Sequence, residues 1–336
     1  MENNKKSASQ VSRRKFLGLT ATAATFALVP PGLRFTDLNN QVKPQKPDSK
    51  FGGVQIGAIT YSWRSMSDTA EDTLKYCLAG GISSIELMGN VPEKYAGLPQ
   101  ANIQRPARDA SEGDKTAYQK AAAKLAEDQK KWRIAAPMTK FEELRKMFND
   151  AGVKIHIVKF SPENWSDEEI DYAFRAAKAM GAGGVSTEIG EKPAQKLGPF
   201  AAKYGMYNIL HQHLQPGEAG WTFDKFLAYH PANMLNFDAG HFFGSTGLHP
   251  NTITERLHDR IFSIHIKDKT GPKGTPANTN MEWGKGETPI SDMLLLLKKQ
   301  KWPIYVDIEL EYPVPQGSDA VAEVKKCIEF CRKILV

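Results

Sequence analysis

The sequence is poor in several features that would mark common protein classes. Only three cysteines, Cys77, Cys327 and Cys331, occur in 336 residues, too few for a disulfide framework. Cys327 and Cys331 lie four apart on a helical pattern with Val324, Ile328 and Ile334, so they are expected as small core residues, as is Cys77. The apolar run Leu19 to Val29 is shorter than the roughly 20 residues of a membrane-spanning helix. No Gly-rich phosphate loop is present: GKGET at Gly284 to Thr288 lacks the spacing of one. An excess of one charge is missing from most of the chain too. Residues 1–50 hold nine basic against three acidic side chains, and the remainder holds 35 of each. The net charge of +6 therefore belongs to the N-terminus, which argues against nucleic acid as a partner of the folded part.

That N-terminus reads as an address. SRRKFLG at Ser12 to Gly18 sets adjacent arginines before an apolar stretch rich in Ala and Thr, the arrangement of a twin-arginine export signal over residues 1–29. Residues 30–50 follow as a polar, Pro-containing linker. The expectation is a periplasmic protein with no stable membrane anchor once the signal is removed.

With 41% hydrophobic and 24% charged residues, the remaining chain suits one barrel-sized core. From Phe51 onward short apolar runs alternate with helical patterns. Strands are expected at 54–60, 83–88, 153–160, 184–188, 206–211, 234–238, 261–267 and 304–309. Helices are expected from Ser67 to the stop at Gly80 and Gly81, over 139–150, from a capping box at Ser166 and Glu169, over 192–204, 222–230 and 251–258, after Thr288, and over 318–335. This rhythm predicts a single α/β domain, a (β/α)8 TIM barrel over 51–336. Residues 90–137 form a long insertion with a Lys- and Ala-rich, helical middle beside the mouth. It is expected either to close over a substrate or to pack against a second subunit of a homo-oligomer.

Polar residues gather at the C-terminal ends of the strands, where such barrels carry their sites. Strand two ends with Glu86, strand four with Glu188, strand five with His211 and His213, and strand six with Asp238 and His241. Strand seven ends with His265 and Lys267, and strand eight with Asp307, Glu309 and Glu311. A lone barrel-end His is usually a hydrogen-bonded core residue, and a lone Glu a solvated rim residue. Recurrence across these six strands points instead to a divalent metal site with oxygen-rich coordination.

At these residues the chain resembles the sugar phosphate isomerase/epimerase family of xylose isomerase-like barrels. The marks are GGISSIELMG after the first helix, LHQH where relatives often have YHNH, FDAGH, HIKDK, the EWGKGETPI loop and the terminal DIELE. The resemblance implies Glu188, Asp238, His265 and Glu309 as ligands of a divalent ion (Mn, Mg, Zn or Co). It implies His211, His213 and His241 around the substrate, with Glu86 lower in the pocket. Lys267 shares the inward parity of His265, so it would neutralise a developing oxyanion or pair with Glu309 or Asp238. Trp63, at the end of strand one, and Trp283 offer aromatic faces to a sugar or serve as packing.

Such a site suits proton abstraction beside a carbonyl, with Glu188 and Glu309 as the exchanging bases in an epimerase. Export and the lack of a phosphate loop favour an unphosphorylated sugar or keto-sugar. Elimination from the same enediolate would instead make a lyase or dehydratase acting on 3-keto-glycosides. A non-catalytic sugar-binding barrel is the remaining expectation, disfavoured because binding alone would not require four ligands.

Overall fold

The computed structural model describes residues 46–336. The export signal expected over 1–29 and most of the linker expected over 30–50 lie outside the described residues. Eight parallel strands run through the chain: β1 (Val54–Ile59), β2 (Ser84–Met88), β3 (Lys154–Lys159), β4 (Gly184–Glu188), β5 (Tyr207–His211), β6 (Asn233–Asp238), β7 (Ile261–Ile266) and β8 (Tyr305–Ile308). Each pairs with the next, and β8 returns to pair with β1, which closes the barrel. Ser49 is buried and bonds to Ser83 and the Ile56 carbonyl, and Lys50–Phe51 pair antiparallel with β1. The last residues of the expected linker thus already belong to the folded body.

Both faces of each strand are covered, which is why the strands are near-continuous apolar runs. Ile85, Leu87, Val185, Leu210, Phe237 and Ile264 have no exposed surface. The connecting helices are α1 (Ala70–Gly80), α2 (Asn90–Ala96), α3 (Glu112–Ala135), α4 (Thr139–Asp150), α5 (Asp167–Ala179), α6 (Glu191–Tyr204), α7 (Phe223–Ala228), α8 (Ala239–Thr246), α9 (Asn251–Leu257), α10 (Ile290–Gln300) and α11 (Ala320–Leu335). Local signals explain their ends. Ser166 and Glu169 form the expected capping box on α5, and Gly81 leaves α1 in the left-handed region at φ 74°, where a side chain would be strained. At α11 the cap is Asp319, which accepts from the Ala322 N–H; Ser318 bonds to Glu323 instead. All three cysteines are buried and free.

Two strands carry an irregularity that matters for the site. Between Ile85 and Glu86 the register of β2 against β3 shifts, so β3 holds one extra residue at His156. A second shift places Phe262 as an extra residue of β7 against β6. Such bulges reset the inward and outward alternation of side chains.

The long insertion contains α2 and the 24-residue α3, which has no buried residue. Its helicity rests on Ala, Lys, Gln and Leu content, on a Ser111 cap, and on i,i+4 pairs such as Lys124–Asp128 and Glu127–Lys131. Its last turns fasten it to the rim. Trp132 meets Tyr172 of α5 edge-on at 5.9 Å. Arg133 pairs with Glu93 of α2 at 2.7 Å and Glu169 of α5 at 3.2 Å, over the ring of Trp165. Both glutamates follow strand C-termini, so the anchor lies at the mouth end of the barrel. No helix among the described residues is long and apolar enough to cross a membrane.

Replacing Arg133 with Ala leaves Glu93 and Glu169 buried without their cation. A loss of about 3 kcal/mol is expected, measured by chemical denaturation, together with faster proteolytic cleavage within α3.

Candidate functional site

Strand pairing lines up the polar ends. Glu188 on β4 is the register partner of His211 on β5, and Asp238 on β6 is the partner of His265 on β7. Asp238 also caps α8, its Oδ1 accepting from the His241 N–H at 2.7 Å. Gln212 clamps the same residue: its amide donates to the Asp238 carbonyl at 2.6 Å and accepts from the Asp238 N–H at 3.0 Å. The Gln in LHQH therefore ties the end of β5 to the end of β6. Gly240 in FDAGH has a steric reason as well, because a Cβ there would come within 2.2 Å of Lys267 Cγ.

At the centre, ligand-type atoms of His211, Asp238, His265 and Glu309 lie within 4.8 Å of one another, all four residues being buried. His265 is held on both sides, with Nδ1 3.0 Å from Glu309 Oε2 and Nε2 2.8 Å from Glu86 Oε2. Lys267 places its ammonium among three carboxylates, at 2.8 Å from Asp238, 2.6 Å from Glu309 and 2.7 Å from Glu311. A second group, Glu188, His211 and His213, adjoins the first through His211. There Glu188 pairs with Lys159 at 2.7 Å and with His213 at 2.8 Å.

Charge decides the protonation of these groups. Burial alone would raise Glu309, but Lys267 and His265 outweigh it and hold Glu309 well below the usual carboxylate range. Burial would depress His265, yet Glu309 and Glu86 push it well above the usual imidazole value. Burial of Glu188 is outweighed by His213 and Lys159, which bring it down to about 2. His211 goes the other way: burial, with Lys159 nearby, lowers it far below its ordinary value. It is therefore neutral, and neither ring nitrogen has a hydrogen-bond partner.

These donors fit a divalent cation. A buried neutral imidazole with free nitrogens costs stability unless something binds it, and His211 aims at two carboxylates and a second imidazole. Glu86, Asp238, Glu309 and Glu311 share two direct ion-pair partners, Lys267 and His265, with Lys159 acting on Glu86 and Glu309 from further off; this excess of carboxylates favours a further positive charge. Glu86 would hold the Nε2 of His265 and orient its ring, as outer carboxylates do for metal-bound histidines.

Of the expected residues, Asp238, His265, Glu309 and Lys267 converge. His211 stands in the central group where the resemblance places Glu188, and Glu188 lies beside it, 43% exposed, at the mouth. His213 and His241 line the approach, their rings 5.0 Å apart. Glu86 is fully buried one layer beneath His265. Trp63 packs on Tyr76 and lines a cavity of about 350 Å³ with Tyr61, Arg64 and Asn90, while Trp283 packs on Phe330. Lys159 was not anticipated. It points inward only because of the bulge in β3, which no residue type announces. His156 also faces inward and bonds to Asp307 and Ser84, forming a buried polar layer below the site with Asn236 and Ser263.

No curated protein sequence matches the chain. A model of the xylose isomerase-like TIM barrel family matches residues 120–334, and the chain belongs to that family. Among solved structures, it is similar to a sugar phosphate isomerase/epimerase from Parabacteroides distasonis ATCC 8503, with TM-score 0.53, 15% identity, and 84% of this chain and 96% of that one covered. The probable 3-DHS dehydratase AsbF from Bacillus anthracis gives TM-score 0.53, 14% identity, and coverage of 82% and 98%. D-psicose 3-epimerase from Clostridium cellulolyticum H10 gives TM-score 0.53, 10% identity, and coverage of 84% and 99%. At these identities the likeness is one of fold.

Replacing Gln212 with Leu strands the Asp238 N–H and carbonyl in a buried setting. A destabilisation of about 2–4 kcal/mol is expected. Thermal unfolding monitored by circular dichroism measures it, and a midpoint equal to the parent would contradict the clamp.

Proposed function

We propose that the protein is a divalent-metal-dependent sugar isomerase or epimerase that moves a proton beside a carbonyl of an unphosphorylated sugar or keto-sugar. The observation that carries this reading is the pair of carboxylates Glu188 and Glu309. Glu188 ends β4 and Glu309 follows β8, four strands apart in a closed eight-stranded barrel, and His211 is common to the two groups they belong to. A proton can thus leave one face of a substrate and return to the other.

The central group would hold the ion through His211, Asp238, Glu309 and His265, the last giving up its Nδ1 proton while Nε2 stays on Glu86. When bound, the ion would polarise the sugar carbonyl and stabilise the charge that develops on its oxygen. The chain's own residues do the rest. Glu188 is ionised and reachable from the mouth, so it can take the proton, and the hydrogen-bonded His213 can carry it onward. Glu309 is ionised and sheltered, and faces the opposite side. His241 keeps both ring nitrogens unbonded at the edge of the pocket, where they can orient sugar hydroxyls. Lys267 supplies a fixed positive charge near the developing oxyanion.

Two structural neighbours, an epimerase and a probable dehydratase, are compatible with proton abstraction next to a carbonyl. The twin-arginine pattern at Arg13 and Arg14 supports export and hence a substrate met outside the cytoplasm. A second reading, β-elimination from a 3-keto-glycoside, draws on the His213–Glu188 pair, which puts an acid beside a base on one side of the pocket. The same first step serves both.

The deciding experiment follows the metal-loaded protein by NMR in D2O with a panel of free ketoses and 3-keto-glycosides. Deuterium entering next to a carbonyl of an intact sugar is the expected result; release of an aglycone with an unsaturated sugar would favour elimination. Glu188→Gln and Glu309→Gln should each slow exchange by about 10²–10⁴-fold with the circular dichroism spectrum unchanged. Full exchange in either variant removes that residue from the mechanism.

A further inference from the structure

The ammonium of Lys267 sits against one oxygen of each of two carboxylates that a divalent ion would use, Asp238 and Glu309. Asp238 is pinned at three points, by its Oδ1 cap on His241 and by both backbone bonds to Gln212, so only Oδ2 remains for a cation. That oxygen is the one 2.8 Å from Lys267 Nζ. On Glu309 both contacts converge on one oxygen, since Oε2 is shared by Lys267 and His265 while Oε1 carries neither. The third carboxylate differs. Glu311 is the outermost of the three, 17% exposed, with Asn280 Nδ2 at 3.4 Å and His241 Nε2 at 3.5 Å. The lysine stem runs beneath α8, in the space that Gly240 leaves open, so its charged end is the part free to shift.

We infer that Lys267 and a divalent cation compete for the carboxylates of Asp238 and Glu309, and that Glu311 is the group that keeps the lysine when the cation enters. This rests on the metal reading proposed above, and it assigns to Lys267 and Glu311 a role in setting metal affinity. Without metal, the ammonium lets Asp238 and Glu309 stay buried beside each other and near Glu311, which would otherwise be strongly destabilising. With metal, the ammonium is a like charge within a few ångströms of the ion and weakens its binding. Glu311 limits that penalty by holding the ammonium away from the shared oxygens.

The test is calorimetric titration of the full, metal-free chain with Mn²⁺ alone, together with thermal unfolding with and without Mn²⁺. Lys267→Met should bind Mn²⁺ at least tenfold more tightly than the parent, unfold at a lower temperature when metal-free, and gain more from added Mn²⁺. Lys267→Gln, which retains a hydrogen-bond donor, serves the same purpose if the Met variant does not fold. Glu311→Gln should weaken Mn²⁺ binding in the parent, and by a clearly smaller factor when Lys267 is already replaced, because its effect passes through the lysine. Parent binding with unchanged or weaker affinity in the Lys267 variants overturns the competition and leaves the metal site standing. An equal effect of Glu311→Gln in both backgrounds overturns the role of Glu311. A parent that takes up no Mn²⁺ overturns the metal reading itself, and the inference with it.

Discussion

Buried charge is the constraint around which this barrel is built. Glu86, Asp238 and Glu309 have almost no exposed surface, and each would be costly in an apolar interior without a partner. The protein answers with two cations placed on one strand. His265 takes Glu86 on one side and Glu309 on the other, and Lys267, two residues on, takes Glu309, Asp238 and Glu311. Around this core the neighbouring devices make sense. Gln212 fixes the backbone of Asp238, Gly240 leaves room for the lysine, and Asn236 bonds to Glu86 from below. Each keeps a charged group where its counter-charge is.

The same arrangement separates two environments within one pocket. The inner one is dry and preorganised, with carboxylates kept ionised by fixed cations. The outer one, with Glu188, His213 and Lys159, reaches solvent and retains a titratable imidazole next to a carboxylate. His211 belongs to both and is bonded to neither, which makes it the joint between a site that would hold an ion and a site that would handle protons.

Much of this was legible in the sequence because strand C-termini are recognisable from polar residues that interrupt apolar runs. Asp238, His265, Lys267 and Glu309 follow from that rule and from the alternation of side chains along a strand. What escaped depends on relations between strands. His156 and Lys159 are three apart and should face opposite sides, yet a bulge turns both inward, and no residue type marks it. His211 stands in the central group while Glu188 pairs with Lys159 of the neighbouring strand, a relation between strands that neither residue announces. Gln212 stands apart: its identity was visible, but its function required the position of the Asp238 backbone. The helix caps show the same division, with Ser166 and Glu169 readable as a local motif and the Asp319 cap of α11 visible only in the structure.

The most direct test of the account is to locate a cation crystallographically. Crystals grown with Mn²⁺ and measured for its anomalous scattering should give one strong peak bounded by His211, Asp238, His265 and Glu309, with the Lys267 ammonium turned toward Glu311. A peak confined to Glu188 and His213, or no peak with Lys267 still against Asp238 and Glu309, would contradict it and make the lysine the permanent cation of the site.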